Sequence, residues 1–200
     1  RFSNKIIPDF LTNDNQIIYS NLSGYAIARG ISSEIFLKMY KIPLKFSVNA
    51  TILDVSNFKE NSTGEMVKNQ QLLAEKYSIK WSVNYWFEKL GLDMIYSATN
   101  YGPIRLPILE NDFRPEYSLP YTIHNLKLSK NYNNGWTNFI SLRNFTNFTP
   151  PKYSILRAND PFDQNINDPI DNPEGYTFDA SYMYASFQGF NLVFGVSFVF

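Results

Sequence analysis

Alternation of apolar and polar residues is the dominant pattern along this chain. Successive side chains of an extended strand point to opposite faces, so a period of two predicts a sheet with one apolar face. The clearest case is segment 44–52. Its apolar positions are Leu44, Phe46, Val48, Ala50 and Ile52, and its polar positions are Lys45, Ser47, Asn49 and Thr51.

The alternation predicts seven strands separated by connections of two kinds. The predicted strands cover residues 24–40, 43–54, 78–88, 91–100, 120–130, 135–147 and 190–200. Short turns and long loops alternate strictly, and the long loops are expected at about 55–77, 101–119 and 148–189. A short helix is expected around 65–76, and residues 1–21 are expected to form a loop because they show no sustained period.

The last strand is the most asymmetric. Residues 191–200 read NLVFGVSFVF, with bulky apolar side chains on one face and small ones on the other. A soluble protein rarely leaves such a terminal strand uncovered, because it is a template for aggregation. A closed barrel in a bilayer gives the strand partners on both sides and lipid on its apolar face.

The difference between the loops favours a membrane barrel over a soluble sandwich, which alternation alone does not decide. Outer-membrane barrels have short periplasmic turns and long external loops. With the long loops outside, the chain ends on the periplasmic side, as a barrel of this class should. Seven strands cannot close an ordinary bacterial barrel, so we expect the C-terminal part of a longer wall.

Composition agrees with this class and excludes others. The chain has 17 Phe, 14 Tyr, no Cys and a net charge of zero. No apolar run approaches the roughly 18 residues of a membrane helix, and zero net charge argues against nucleic-acid binding. The absence of Cys rules out disulfides. The chain begins at Arg1 without a signal peptide, so we expect a mature or truncated piece.

The C-terminus resembles the signal by which bacterial barrel proteins are recognised for insertion by the barrel-assembly machinery. Gly195, Phe198 and Phe200 match that pattern, whereas Val193 stands where a polar residue is usual. The match implies a bacterial outer-membrane protein.

Three longer segments resemble the late barrel of TonB-dependent outer-membrane receptors of the Bacteroidetes type. They are residues 91–130, the run SLRNFTNFTPP at 141–151, and residues 159–200. In the second, Phe145 stands in place of the usual leucine. In the third, the pair Gln188–Gly189 precedes the final strand. Together the segments cover more than half of the chain.

This resemblance implies a barrel of 22 strands with a plug domain that would lie upstream of Arg1 and outside this chain. Such receptors import scarce chelates, such as ferric siderophores, haem or cobalamin, with energy passed on by TonB. The implied partners are the outer-membrane bilayer and the TonB complex, with a surface lipoprotein as a further candidate. Two rivals stay open: a passive porin-like channel, and a soluble β-rich module that binds glycans or mediates adhesion.

Candidate substrate contacts lie in or beside the external loops. Arg forks and Tyr faces suit flat anionic ligands, although packing of loop against loop would use the same residues. These candidates are Tyr101, Arg105, Arg114, Tyr117 and Arg157.

A second polar set is expected to face the lumen, where its members would pair with the plug or with one another. A transport path is the alternative role. The members are Lys45, Lys80, Asp93, Lys127 and Arg143.

No enzyme constellation is found, and no cofactor or metal is expected. The single histidine, His124, has no further His or Cys with which to build a triad or a zinc site. Five aspartates could supply oxygen ligands to calcium, but their spacing fits no EF-hand loop and Asx-turns beside prolines explain them more simply. Those aspartates are Asp160, Asp163, Asp168, Asp171 and Asp179. Glycosylation triplets at Asn49 and Asn144 fall in predicted strands, where no acceptor is expected.

Overall fold

A computed structural model describes residues 1–9, 18–61, 63–107, 114–151, 156–158, 169–170, 176–178 and 182–199. The fold of these residues is all-β and antiparallel, which confirms this part of the expected fold class, and the described strands form an open sheet. Their helical content is limited to short 3₁₀ turns such as Glu88–Leu90. No helix in the described ranges is long and apolar enough to span a membrane.

One large sheet and two small hairpins make up the fold. In chain order the strands are β1 (Phe2–Ser3), β2 (Ile6–Asp9), β3 (Ile18–Asn21), β4 (Gly24–Lys38), β5 (Leu44–Glu60), β6 (Met66–Gln70), β7 (Tyr77–Phe87), β8 (Leu92–Tyr101), β9 (Tyr121–Asn131), β10 (Trp136–Arg143), β11 (Leu156–Ala158), β12 (Tyr176–Phe178) and β13 (Asn191–Phe198). The large sheet has the order β1-β4-β5-β7-β8-β9-β10-β13, with β6 also paired to β5. The hairpins are β2–β3 and β11–β12.

The seven segments with period two form β4, β5, β7, β8, β9, β10 and β13. Two local expectations were wrong. Residues 66–70 form β6 instead of a helix, because β5 continues to Glu60 and its backbone groups take β6 as a partner. Residues 1–21 contain β1, β2 and β3 instead of a loop, and strands of two to four residues are too short to show a period.

Short and long connections separate the sheet into two ends. The turns 39–43, 88–91 and 132–135 lie at one end of the strands, called the turn end. The described parts of the connections 61–76, 102–120 and 144–190 begin and end at the opposite end of the strands, called the loop end. Both β4 and β13 run from the loop end to the turn end.

The register aligns the apolar positions of all seven long strands on one face. One row of directly opposed residues consists of Leu37, Phe46, Val83, Tyr96, Leu126, Leu142 and Leu192. The next row toward the turn end consists of Leu44, Tyr85, Met94, Leu128, Ile140 and Phe194. Because directly opposed side chains of antiparallel strands share a face, these rows form one continuous apolar surface.

This apolar face has no second sheet packed on it among the described residues. Ile31 is 77% exposed and Phe194 67% exposed, and Phe46 and Val83 are only partly covered by their neighbours. The described apolar residues that are buried form small clusters elsewhere, apart from Ala98. The arrangement is therefore not the core of a sandwich.

The apolar band crosses the sheet obliquely. On β5 it runs from Leu44 to Ile52, and on β13 from Leu192 to Phe198. Phe46 and Leu192 belong to the same row. Phe46 lies two residues from the centre of the β5 band, toward the turn end. Leu192 lies three residues from the centre of the β13 band, toward the loop end. With about 3.4 Å per residue and about 4.8 Å per strand, the band is inclined by about 35° to the rows.

The opposite face is polar. Ser47 and Ser82 hydrogen-bond through their hydroxyls at 2.7 Å, and Ser32 and Thr51 do so at 2.9 Å. The five residues predicted to face the lumen lie here, and none forms an ion pair with another described residue. They are Lys45, Lys80, Asp93, Lys127 and Arg143.

A charged cluster ends the apolar band at the loop end of β5. Asp54 lies two residues beyond Ile52 and accepts hydrogen bonds from Ser56 at 2.7 Å and from Arg29 at 2.8 Å. Lys68 lies 3.4 Å from the same carboxylate. The Ser56 hydroxyl, with help from Arg29 and Lys68, lowers the pKa of Asp54 to about 2.

A contact within the sheet explains why position 195 is occupied by glycine. Gly195 lies directly opposite Phe139, on the polar face, and a Cβ added to it would stand 2.2 Å from the Phe139 ring. Phe198 packs its ring 4.8 Å from that of Trp136. Phe200, the third residue of the expected insertion signal, lies outside the described residues.

We expect Gly195→Ala to destabilise the β10–β13 pairing by about 1–2 kcal/mol, because the new methyl group displaces the Phe139 ring. Denaturant unfolding followed by tryptophan fluorescence measures this change. Ser197→Ala, on the same strand and face, is the matched control and should have little effect. In a Phe139→Ala background the cost of Gly195→Ala should disappear, and an undiminished cost would contradict the steric explanation.

The Asp54 carboxylate should contribute a pH-dependent part of the stability. Because its pKa is lower in the folded chain than the ordinary value of 3.8, the contribution is present above about pH 4 and is lost as the pH falls toward 2. For exposed ion pairs it should amount to about 0.2–1 kcal/mol. The difference in unfolding free energy between wild type and Asp54→Asn, measured from pH 6 to 2, should therefore shrink as the pH falls. A constant difference would contradict this assignment.

Candidate functional site

The long loops pack against each other at the loop end. Ile104, Leu106 and Tyr182 form a buried cluster there. The hydroxyl of Tyr182 donates to the carbonyl of Pro115 at 2.6 Å. The guanidinium of Arg114 lies 3.9 Å from the centre of the Tyr182 ring, and Arg114 is only 3% exposed. Arg114 therefore holds two loops together.

Arg105 and Tyr117 come together beside this cluster, paired by an isolated β-bridge. Arg105 forms an ion pair with Glu116 at 2.6 Å and donates to the backbone carbonyl of Gln70 at 3.0 Å. The Tyr117 hydroxyl donates to the Gln70 side chain at 3.2 Å. Both residues therefore link the second long loop to the first.

The other two predicted substrate residues lie apart from these. Tyr101 ends β8 on the polar face of the sheet. Arg157 lies in β11 opposite Thr177, and its side chain falls outside the described residues. The structure thus assigns loop packing to Arg105, Arg114 and Tyr117, while a substrate contact for any of the five stays a prediction.

An aromatic stack stands on the polar face at the loop end. The Tyr121 ring lies between the rings of Tyr101, at 4.8 Å, and Phe148, at 4.7 Å, and both pairs are nearly parallel. Tyr184 packs on Tyr121 at a tilt, with ring centroids 5.9 Å apart. Stacking of this kind stabilises a defined ring orientation by about 0.5–1.5 kcal/mol per pair. The stacked rings therefore form a rigid surface, called the aromatic wall.

Two asparagines after β10 bring the final strand to this wall. Asn144, with a positive φ of 48°, exchanges two hydrogen bonds with the backbone of Phe148. The Asn147 side chain accepts from the backbone N–H of Phe190 at 2.8 Å. A Cβ on Gly189 would lie 2.1 Å from the Asn147 oxygen, so only glycine permits this approach.

A cavity of about 300 Å³ lies between the aromatic wall and the entry to β13. The side chains that give it chemical character are Tyr101, Tyr121, Asn125, Arg143, Gln188 and Asn191. Among the described residues, no Asp or Glu lines it. Arg143 is the one charged residue in the described part of the lining, and it forms no ion pair with another described residue. The volume is at the lower end of the range for ligand pockets.

Sequence reasoning placed Tyr101 and Arg143 in different candidate sets and missed that they line one cavity. Tyr121, Asn125 and Asn191 were not singled out. The only local signal was the pair of asparagines in the run NFTNF, since Asn tolerates a left-handed conformation and often forms turns.

His124 lies on the apolar face, in an aromatic cluster. Its Nδ1 lies 2.9 Å from the Tyr96 hydroxyl, and Trp81 and Phe145 pack beside it. The described residues contain no group of three His, Cys, Asp or Glu side chains that could hold a metal ion.

The remaining polar candidates are accounted for as follows. Asn49 lies on the polar face opposite Lys80, within the ladder. Asn144 is 7% exposed and hydrogen-bonded within its turn. The five aspartates considered for calcium lie outside the described residues.

Comparison with known proteins yields no relative: no family model, no curated protein and no solved structure matches this chain.

Proposed function

We propose that this chain forms part of the transmembrane wall of an outer-membrane β-barrel, and that the barrel is a TonB-dependent receptor that imports a scarce chelate. The observation that carries the proposal is the continuous apolar face, which crosses seven strands. No second layer of described residues packs on it. In a bilayer that face contacts hydrocarbon, and every backbone group between paired strands is satisfied.

The dimensions of the apolar band support a membrane environment. From Leu44 to Ile52 it measures about 27 Å along the strand, which corresponds to about 22 Å along an axis inclined by 35°. Outer-membrane barrels have an apolar band about 25 Å tall and strands tilted by about 35–45°. The charged cluster of Arg29, Asp54 and Lys68 begins where this band ends.

The direction of the outermost strands supports a wall that needs further strands. The edge of β4 beyond its short pairing with β1 and the outer edge of β13 have no partner among the described residues. Because β4 and β13 run in the same direction, an antiparallel barrel that joins them requires an odd number of additional strands. We place those strands, and the plug, in other parts of the complete protein.

The assignment to receptors, in preference to porins, is supported by two features. The first is the resemblance of residues 91–130, 141–151 and 159–200 to the late barrel of that family. The second is the polar face, whose four cations Lys45, Lys80, Lys127 and Arg143 have no acidic partner among the described residues, as expected of a surface that meets another component. The soluble module is disfavoured by the uncovered apolar face.

The full-length protein tests this proposal in two steps. In a Gram-negative host it should stay in the outer-membrane fraction after an alkaline wash, and its gel mobility should change on boiling. Recovery in the soluble fraction would overturn the barrel. In planar bilayers the purified protein should be closed at rest, because a plug fills the lumen, whereas a steady open conductance would favour the porin.

A further inference from the structure

We propose that the cavity beside the aromatic wall binds a carboxylate carried on a six-membered ring, with Arg143 binding the carboxylate and the Tyr101–Tyr121 wall contacting the ring. Three features of the cavity lead to this ligand class: the charge of its lining, the orientation of its donors and the aromatic surface on one side. Naming the ligand as the transported substrate rests on the proposed function, whereas the binding site itself does not.

The charge of the lining selects an anion. Arg143 ends β10 directly opposite Asn191 and next to the strand that carries Asn125. None of the described residues that line the cavity is acidic. A guanidinium offers a planar fork that fits the two oxygens of a carboxylate, and this pairing is stronger than a neutral hydrogen bond.

One amide beside Arg143 is oriented to donate a hydrogen bond to the same ligand. The Asn125 carbonyl oxygen accepts from the backbone N–H of Asn144 at 2.9 Å. That bond fixes the side chain and leaves its NH₂ group to donate. Asn191 and Gln188 line the same cavity. The lining thus combines one cation with several amide groups, a set suited to a ligand with a carboxylate and further oxygen atoms.

The aromatic wall supplies the shape. Tyr121 is held between Tyr101 and Phe148, so the tyrosine rings that line the cavity cannot turn freely. A cavity of about 300 Å³ accommodates one six-membered ring with its carboxylate. Both an aromatic acid and a sugar acid have this chemistry, and the test separates the two.

The experiment uses the full-length protein in detergent micelles and four probes: benzoate, glucuronate, and their uncharged counterparts benzamide and glucose. Binding is measured by saturation-transfer NMR and by titration calorimetry. We expect at least one acid to bind and its uncharged counterpart not to bind. Benzoate alone identifies an aromatic acid, and glucuronate alone identifies a sugar acid.

Substitutions locate the site. Arg143→Gln should raise the Kd of the acid at least tenfold, and Arg143→Lys should raise it less, because the charge remains while the fork is lost. Lys80→Gln removes another cation of the polar face that does not line the cavity. It should change the Kd less than twofold.

Three results would overturn the proposal: equal binding of acids and uncharged counterparts, equal weakening by Arg143→Gln and Lys80→Gln, or no binding of either acid to wild-type protein. An unchanged gel shift on boiling for each variant shows that the barrel has formed. Acid binding that depends on Arg143 in a protein recovered from the soluble fraction would overturn the transporter and keep the binding site.

Discussion

An apolar sheet face open to its surroundings is the constraint on which the rest of the structure depends. Its two central rows contain thirteen side chains from seven strands. Full burial of one large apolar side chain is worth about 1.5–3 kcal/mol. Compared with burial, leaving these partly covered side chains in water carries a cost comparable with the 5–15 kcal/mol by which folded proteins are typically stable. A hydrocarbon environment removes this cost without a second sheet.

The same constraint organises the polar face and the loops. In the proposed barrel alternate side chains face hydrocarbon and the remaining positions of each strand face an enclosed aqueous space, and Ser, Asn, Lys and Arg occupy about half of these positions. The loops then gather at one end, where Arg105, Arg114 and Tyr117 bind them to each other. The cavity beside Tyr101 and Arg143 lies where the polar face meets those loops. The fold therefore determines which side chains line this cavity.

Most of the sheet follows from the sequence, because alternation is a local property that each strand displays by itself. Strand β6 does not follow, since five residues with no clear period become a strand only through pairing with β5. The cavity does not follow either. It depends on contacts between residues more than forty positions apart, such as Asn147 with Phe190. The sequence singled out Gly195 as part of the expected insertion signal. Its contact with the Phe139 ring depends on the register of β10 and β13.

The most direct test of the central claim is the depth and phase of solvent contact along β5. The chain contains no cysteine, so single cysteines at consecutive positions from 44 to 52 can each carry a nitroxide label in the reconstituted full-length protein. Collisions with oxygen, which concentrates in lipid, and with a water-soluble nickel complex are then measured by electron paramagnetic resonance. The account predicts oxygen contact at even positions, greatest near Val48, and nickel contact at odd positions. Nickel contact at the even positions would contradict it.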